Sequence, residues 1–214
     1  MSVAMLLFML ENCLVDVNVD YSAVWSCMPE QASRTQTSVF EQLRLFRRSF
    51  SKKRYCSLVE KVSEEVAKIE KSSVMRSKLN FDPSNTLSEV RKRSVMVYAF
   101  SMFGEIAVRG LLEMHGLSTV FDGFISRIRV DQPPGFLFPL RLAKRQLKYK
   151  QGNVLFVCGD ANTIRSVREA KVQGVKIVAL PIKPAEVRNI TMAKPDVLLP
   201  NLHEVVDLID LGLV

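Results

Sequence analysis

One segment, residues 153–209, constrains this chain more than any other. It runs through an apolar strand at 154–157, a Gly159-Asp160 turn, a helix, a second apolar strand at 175–180 after Gln173-Gly174, then Lys194-Pro195-Asp196-Val197-Leu198-Leu199 and a helical stretch at 202–209. Short unbroken apolar runs separated by helical patterns read as parallel strands covered on both faces. Asp160 would stand at a strand's carboxyl end, the rim where parallel α/β sheets hold ligands.

That order of elements resembles the fourth-motif half of a haloacid dehalogenase (HAD) superfamily domain. The N-terminus adds to the likeness. Leu6-Leu7-Phe8-Met9-Leu10-Glu11-Asn12-Cys13-Leu14-Val15-Asp16 can be laid without gaps on that family's opening strand, apolar residues followed by Asp-x-Asp-Gly-Thr-Leu-Val-Asp. The resemblance implies an α/β fold: a Rossmann-like three-layer α/β/α parallel sheet with a small helical cap.

It also implies chemistry that these residues do not supply. In the family the first Asp of the opening motif attacks the substrate and the second is general acid and base; here Met9 and Glu11 hold those places. A thioether has no anionic oxygen with which to attack or to offer magnesium, which prefers hard oxygen ligands. The second motif, a phosphoryl-binding Ser or Thr after an apolar strand, matches Ser101 after the strand 94–100, although a helix N-cap would read the same way. The third, a lysine, falls on Gln132, while Lys144, Lys148 and Lys150 lie on or after an amphipathic helix at 136–147. The fourth keeps Asp160, but its second acid would fall on Ile164 or Ser166. An isolated Asp160 is better suited to bonding backbone amides at the strand end. A shifted register would take Asp16 and Asn18 as the reactive pair, yet it drives the strand through Glu11-Asn12-Cys13 and breaks the apolar run of 4–10.

With 214 residues and 48% hydrophobic content, the chain can bury a full α/β core plus an accessory domain. Helical patterns at 38–46, 54–71 (Leu58, Val62, Val66 and Ile69 at helical spacing) and 86–93 fill the gap between the first two strands. The expected division is a core of 1–15 and 94–214 with a cap at 16–93.

Charge is uneven. Residues 34–93 hold 15 Lys and Arg against 7 Asp and Glu, a net of +8 that equals the whole-chain net. The candidate nucleic-acid contacts are Arg44, Arg47, Arg48, Lys52, Lys53, Arg54, Arg91, Lys92 and Arg93. A localised basic surface attracts phosphate backbones, so the expected partners are RNA, a ribonucleoprotein such as a ribosome or its assembly intermediate, or an acidic protein surface. A solvated basic face reads equally well, because no RNA motif with interleaved aromatics accompanies these residues.

Cys13, Cys27, Cys56 and Cys158 lack zinc spacing, and His115 and His203 lack a partnering Cys. A reducing compartment is expected, the cytoplasm or an organelle matrix, with no membrane span and no leader at 4–10. Three functions remain. The first is a catalytically lapsed HAD-like protein whose basic cap docks on RNA or a ribonucleoprotein, with no cofactor. The second is a binder of a phosphorylated ligand through Ser101 and Asp160. The third is a magnesium-dependent phosphomonoester hydrolase in which Glu11 or Asp16 replaces the usual nucleophile and Asp160 holds the metal.

Overall fold

A computed structural model describes residues 3–32, 38–131, 140, 141, 143, 145 and 153–212. In chain order the described elements are β1 (Val3–Met9), β2 (Val15–Asp16), a 3-10 turn (Ser22–Cys27), α1 (Val39–Ser49), α2 (Lys52–Val74), β3 (Lys78–Leu79), α3 (Ser84–Lys92), β4 (Met96–Gly104), α4 (Glu105–Met114) and β5 (Gly123–Arg127). There follow β6 (Asn153–Cys158), α5 (Ala161–Glu169), β7 (Val175–Ala179), a second 3-10 turn (Pro184–Glu186), α6 (Val187–Met192), β8 (Val197–Leu198) and α7 (Glu204–Asp210).

The main sheet has six strands in the order β5-β4-β1-β6-β7-β8, every pair parallel. The chain therefore builds outward from β1 on one side, then returns to build outward on the other. The carboxyl ends of β1 and its neighbours border the crevice that this reversal opens. The opening apolar run lies in the middle of the sheet, and its Met5, Leu6, Leu7 and Phe8 have no solvent exposure at all. Phe8, Phe100 and Phe156 are likewise fully buried, and burial of side chains this size stabilises by roughly 1.5–3 kcal/mol each.

At the amino ends of the strands, two aspartates close the ladder in the same way. Asp122 accepts the Val97 amide at 2.8 Å and pairs with Arg91 at 2.9 Å; Asp196 accepts the Ile177 amide at 2.7 Å and pairs with Arg168 at 3.2 Å. Each carboxylate satisfies a strand-end donor that no neighbouring strand reaches.

The helical insertion has its own core of Val24, Val39, Leu43, Phe46, Tyr55, Leu58, Val62 and Val66, with Val130 from the loop after β5. Ser38 and Glu41 form a reciprocal capping box that starts α1. The insertion is narrower than the expected 16–93. Val15 and Val17 lie in the main core, β2 and β3 form a short antiparallel ribbon, and α3 lays Leu87 and Val90 against the body. Apolar spacing marks a helix without saying which of two cores its stripe enters. Arg91, Lys92 and Arg93 therefore belong to the body, and the excess charge is not confined to the cap. The second strand also runs further than expected, through Ser101 to Gly104. Of the helix expected at 136–147, residues 140, 141, 143 and 145 are described and helical, with Leu140 and Ala143 in the main core. Gln132, Lys144, Lys148 and Lys150 lie outside the described residues. Among the described residues no helix is long and apolar enough to cross a membrane.

Candidate functional site

The carboxyl end of β1 turns back sharply on itself. The amides of Leu14 and Val15 bond to the carbonyls of Met9 and Leu10, Asn12 takes a left-handed conformation (φ 58°), and Gly159 at the end of β6 presses against this loop. A Cβ on Gly159 would sit 2.2 Å from the Asn12 carbonyl oxygen, so this approach admits glycine alone. That contact is the structural reason for the Gly of Gly159-Asp160.

Met9 is buried at the strand end, 4% exposed. Glu11 is also buried, and its Oε1 accepts the Ser101 hydroxyl at 2.7 Å and the Met102 amide at 2.9 Å. The Phe103 amide donates in turn to Ser101 Oγ at 3.0 Å. Glu11 Oε2 is buried with no hydrogen-bond partner among the described residues. Loss of solvation pushes the Glu11 carboxyl up to about 7, partly countered by the Ser101 and backbone hydrogen bonds.

Asp160 caps the N-terminus of α5. Its Oδ1 accepts the Thr163 amide at 2.9 Å and its Oδ2 the Thr163 hydroxyl at 2.6 Å. Ile164 is in the core and Ser166 lines the cavity, so neither place supplies a second acid. Asp16 lies on β2, outside the main sheet, and Asp20 accepts from Ser22, so the shifted register has no strand end to work from.

A cavity of about 580 Å³ opens between the strand ends and the cap, bordered by Met9, Glu11 and Asp160 below and by Tyr21, Phe40 and Arg44 above. Arg44 thus faces this cavity rather than the outer basic surface. Ser101, 1% exposed, does not line it; its hydroxyl is committed to Glu11. The strand continues past Ser101 and turns its side chain into the protein.

A second cluster, which the sequence reading missed, ties cap to body. Glu70 on α2 is paired with Arg127 at the end of β5 at 2.8 Å, both nearly buried. Glu70 also accepts the Tyr21 hydroxyl at 2.8 Å and the Gly104 amide at 3.0 Å, and Arg127 donates to the Met102 carbonyl at 3.2 Å. Burial and the Glu70 charge hold the Tyr21 phenol above its ordinary range. In sequence Glu70 is one of several acids on a charged helix, and only its buried position at the cap–body junction sets it apart.

The basic residues divide by their partners. Arg91 bonds to Asp122 and the Thr119 carbonyl, Lys92 to Glu89, and Arg93 to Asp210 and Glu89. Arg47, Arg48, Lys52, Lys53 and Arg54 are exposed on the outer end of the cap, with no acidic partner among the described residues. Arg54 lies over the Phe50 ring.

Magnesium, which the fold family implies, does not fit the donor set. Met9 offers sulfur, Asp160 has both oxygens on Thr163, and Glu11 has one oxygen on Ser101 and favours its neutral form below about pH 7. Among the described residues no three His, Cys, Asp or Glu side chains converge on a metal position.

No protein-family model and no curated protein matches this sequence. Solved structures do match its shape. A predicted phosphatase from Clostridium acetobutylicum superposes with a TM-score of 0.66 at 11% identity, covering 100% of both chains. A haloacid dehalogenase-like family hydrolase from Streptococcus pneumoniae gives 0.59 at 14% identity over 96% of this chain and 97% of the other. A HAD-superfamily hydrolase from Ehrlichia chaffeensis gives 0.56 at 15% identity over 100% of both. Likeness at these identities is one of fold: the chain has the HAD-like hydrolase fold.

Proposed function

We propose that this chain is a catalytically lapsed HAD-fold protein whose basic cap docks on RNA or a ribonucleoprotein. The observation that carries the first half is the Met9 thioether at the strand end, beside a Glu11 carboxyl drawn into Ser101 and the Met102 amide. Displacement at phosphorus or carbon through an aspartyl intermediate needs an anionic oxygen at that position, and Met9 offers sulfur there. The buried Glu70–Arg127 pair supports the same reading, because a cap fastened this way resists the opening that turnover requires.

The docking half is supported by the contrast between tied and untied cations. Arg91, Lys92 and Arg93 are neutralised within the body, whereas Arg47, Arg48, Lys52 and Lys53 project from one end of the cap with no acidic partner among the described residues. Lys52, Lys53 and Arg54 occupy the first turn of α2, where positive side chains oppose the helix dipole at about 0.3–1 kcal/mol each. An anionic partner relieves that repulsion. The free cysteines are consistent with a reducing interior as the setting.

Affinity purification with and without nuclease, comparing wild type with Arg47→Glu/Arg48→Glu/Lys52→Glu/Lys53→Glu, tests this reading. RNA or RNA-bound proteins should co-purify with the wild type and be lost from the variant; equal recovery would count against it. Magnesium-dependent hydrolysis of an aryl phosphate, abolished by Asp160→Ala, would overturn the non-catalytic half.

A further inference from the structure

The corner between α1 and α2 carries more than charge. Phe50, the residue that ends α1, borders recesses on both sides of the first turn of α2. One, about 640 Å³, is lined by Arg47, Lys52, Tyr55 and Arg129; the other, about 500 Å³, by Lys53, Arg54, Ser57 and Lys61. Successive helical positions diverge by about 100°, which is why the adjacent Lys52 and Lys53 serve opposite recesses. Asp131 pairs with Arg129 at 2.7 Å, so Arg47 and Lys52 leave the first recess with a net positive charge.

Phe50, which borders both recesses, also contacts a second ring and a guanidinium. Phe50 is stacked on Phe46 with ring centres 4.8 Å apart and planes 28° apart, and the Arg54 guanidinium carbon lies 4.0 Å above the Phe50 ring. Phe46 is anchored in the cap core, and Arg54 is exposed. A guanidinium held over an aromatic ring keeps its outer face toward solvent, and such planes accept unstacked nucleic-acid bases.

We infer that this corner is a single-stranded RNA platform: one base stacks on the outer face of Arg54, and the flanking phosphates reach Arg47 and Lys52 on one side and Lys53 and Lys61 on the other. The inference rests on the RNA reading above and adds the kind of RNA and the residues that meet it. An A-form duplex keeps its bases stacked on one another and offers none to Arg54, and an acidic protein surface has charge to match the cations but no planar group for the stack. Recognition of this kind tolerates any base, since every base has a π-face.

Fluorescence anisotropy of the full chain, with a labelled mixed-sequence RNA of about 12 nucleotides, single-stranded and annealed to its complement, tests the inference. Arg54→Lys keeps the charge and removes the plane. It should weaken single-strand binding roughly 5- to 150-fold, the worth of one stacked base, and leave duplex binding unchanged. Lys53→Gln/Lys61→Gln should flatten the dependence of log affinity on log salt by about 0.7 for each phosphate that is no longer neutralised. An unchanged single-strand affinity in Arg54→Lys, or binding of duplex or polyglutamate as tight as that of single-stranded RNA, would overturn the platform while leaving the docking proposal standing. Absence of any RNA binding by the wild type, or full binding by Arg47→Glu/Arg48→Glu/Lys52→Glu/Lys53→Glu, would remove both.

Discussion

Replacing Glu11 with Gln should make this protein more stable at alkaline pH and change little at acid pH. The carboxyl titrates near 4.5 in an open chain and at about 7 in the folded protein, where burial disfavours its charged form. Between those values the folded state holds a proton that the unfolded state has released, so stability falls as pH rises. The favourable contribution is complete below about pH 4.5 and is lost as pH climbs through 7. A gap of about 2.5 units corresponds to roughly 3 kcal/mol, most of it, about 2.5 kcal/mol, falling between pH 5 and pH 8. Gln mimics the protonated acid: its carbonyl oxygen can accept from Ser101 and Met102 as Oε1 does, and its amide takes the place of the partnerless Oε2. Urea denaturation of both proteins at half-unit steps from pH 5 to 8.5 isolates the effect, because every other titrating group is common to both. The Gln variant should gain steadily on the wild type as pH rises. Parallel curves would mean that Glu11 is hydrated and ionised in the folded protein, and its burial beside Ser101 would not be what holds its proton.

Arg127→Met strands the Glu70 carboxylate in the junction and should cost about 3–5 kcal/mol in denaturant unfolding, far more than an exposed pair. Gly159→Ala drives a methyl group into the Asn12 carbonyl and should cost at least about 1–3 kcal/mol, read as a lowered Tm. Asp160→Ala removes the α5 cap and should cost about 0.5–2 kcal/mol in the same assay, with no dependence on added magnesium.

The strands were legible because each is an apolar run too short and too uniform to be anything else. Residues 4–10, 154–157 and 175–180 all lie in the sheet with ends shifted by a residue or so. The place of Met9 at a strand end was legible for a related reason: a position on a strand can be counted from the strand itself. Glu11 was half legible, since its place after the first strand could be counted but its bonds come from Ser101 and Met102, on a strand far along the chain. Asp160 was read correctly as a partner for backbone amides, because an Asp between a strand and a helix is a natural N-cap.

Membership of a core was not legible. Periodicity gave α3 an apolar stripe but not its destination, so Arg91, Lys92 and Arg93 were grouped with charges from which they are separated in space. The Glu70–Arg127–Tyr21 cluster and the Phe46–Phe50–Arg54 stack depend on side chains meeting across elements, and no local pattern encodes such meetings. Sequence alone determined the parallel sheet and the apolar runs that enter it, since burial pattern and residue type are properties of the chain. Only the tertiary structure decided which cations have an acidic partner among the described residues and which do not, because pairing depends on distances that exist once the chain has folded.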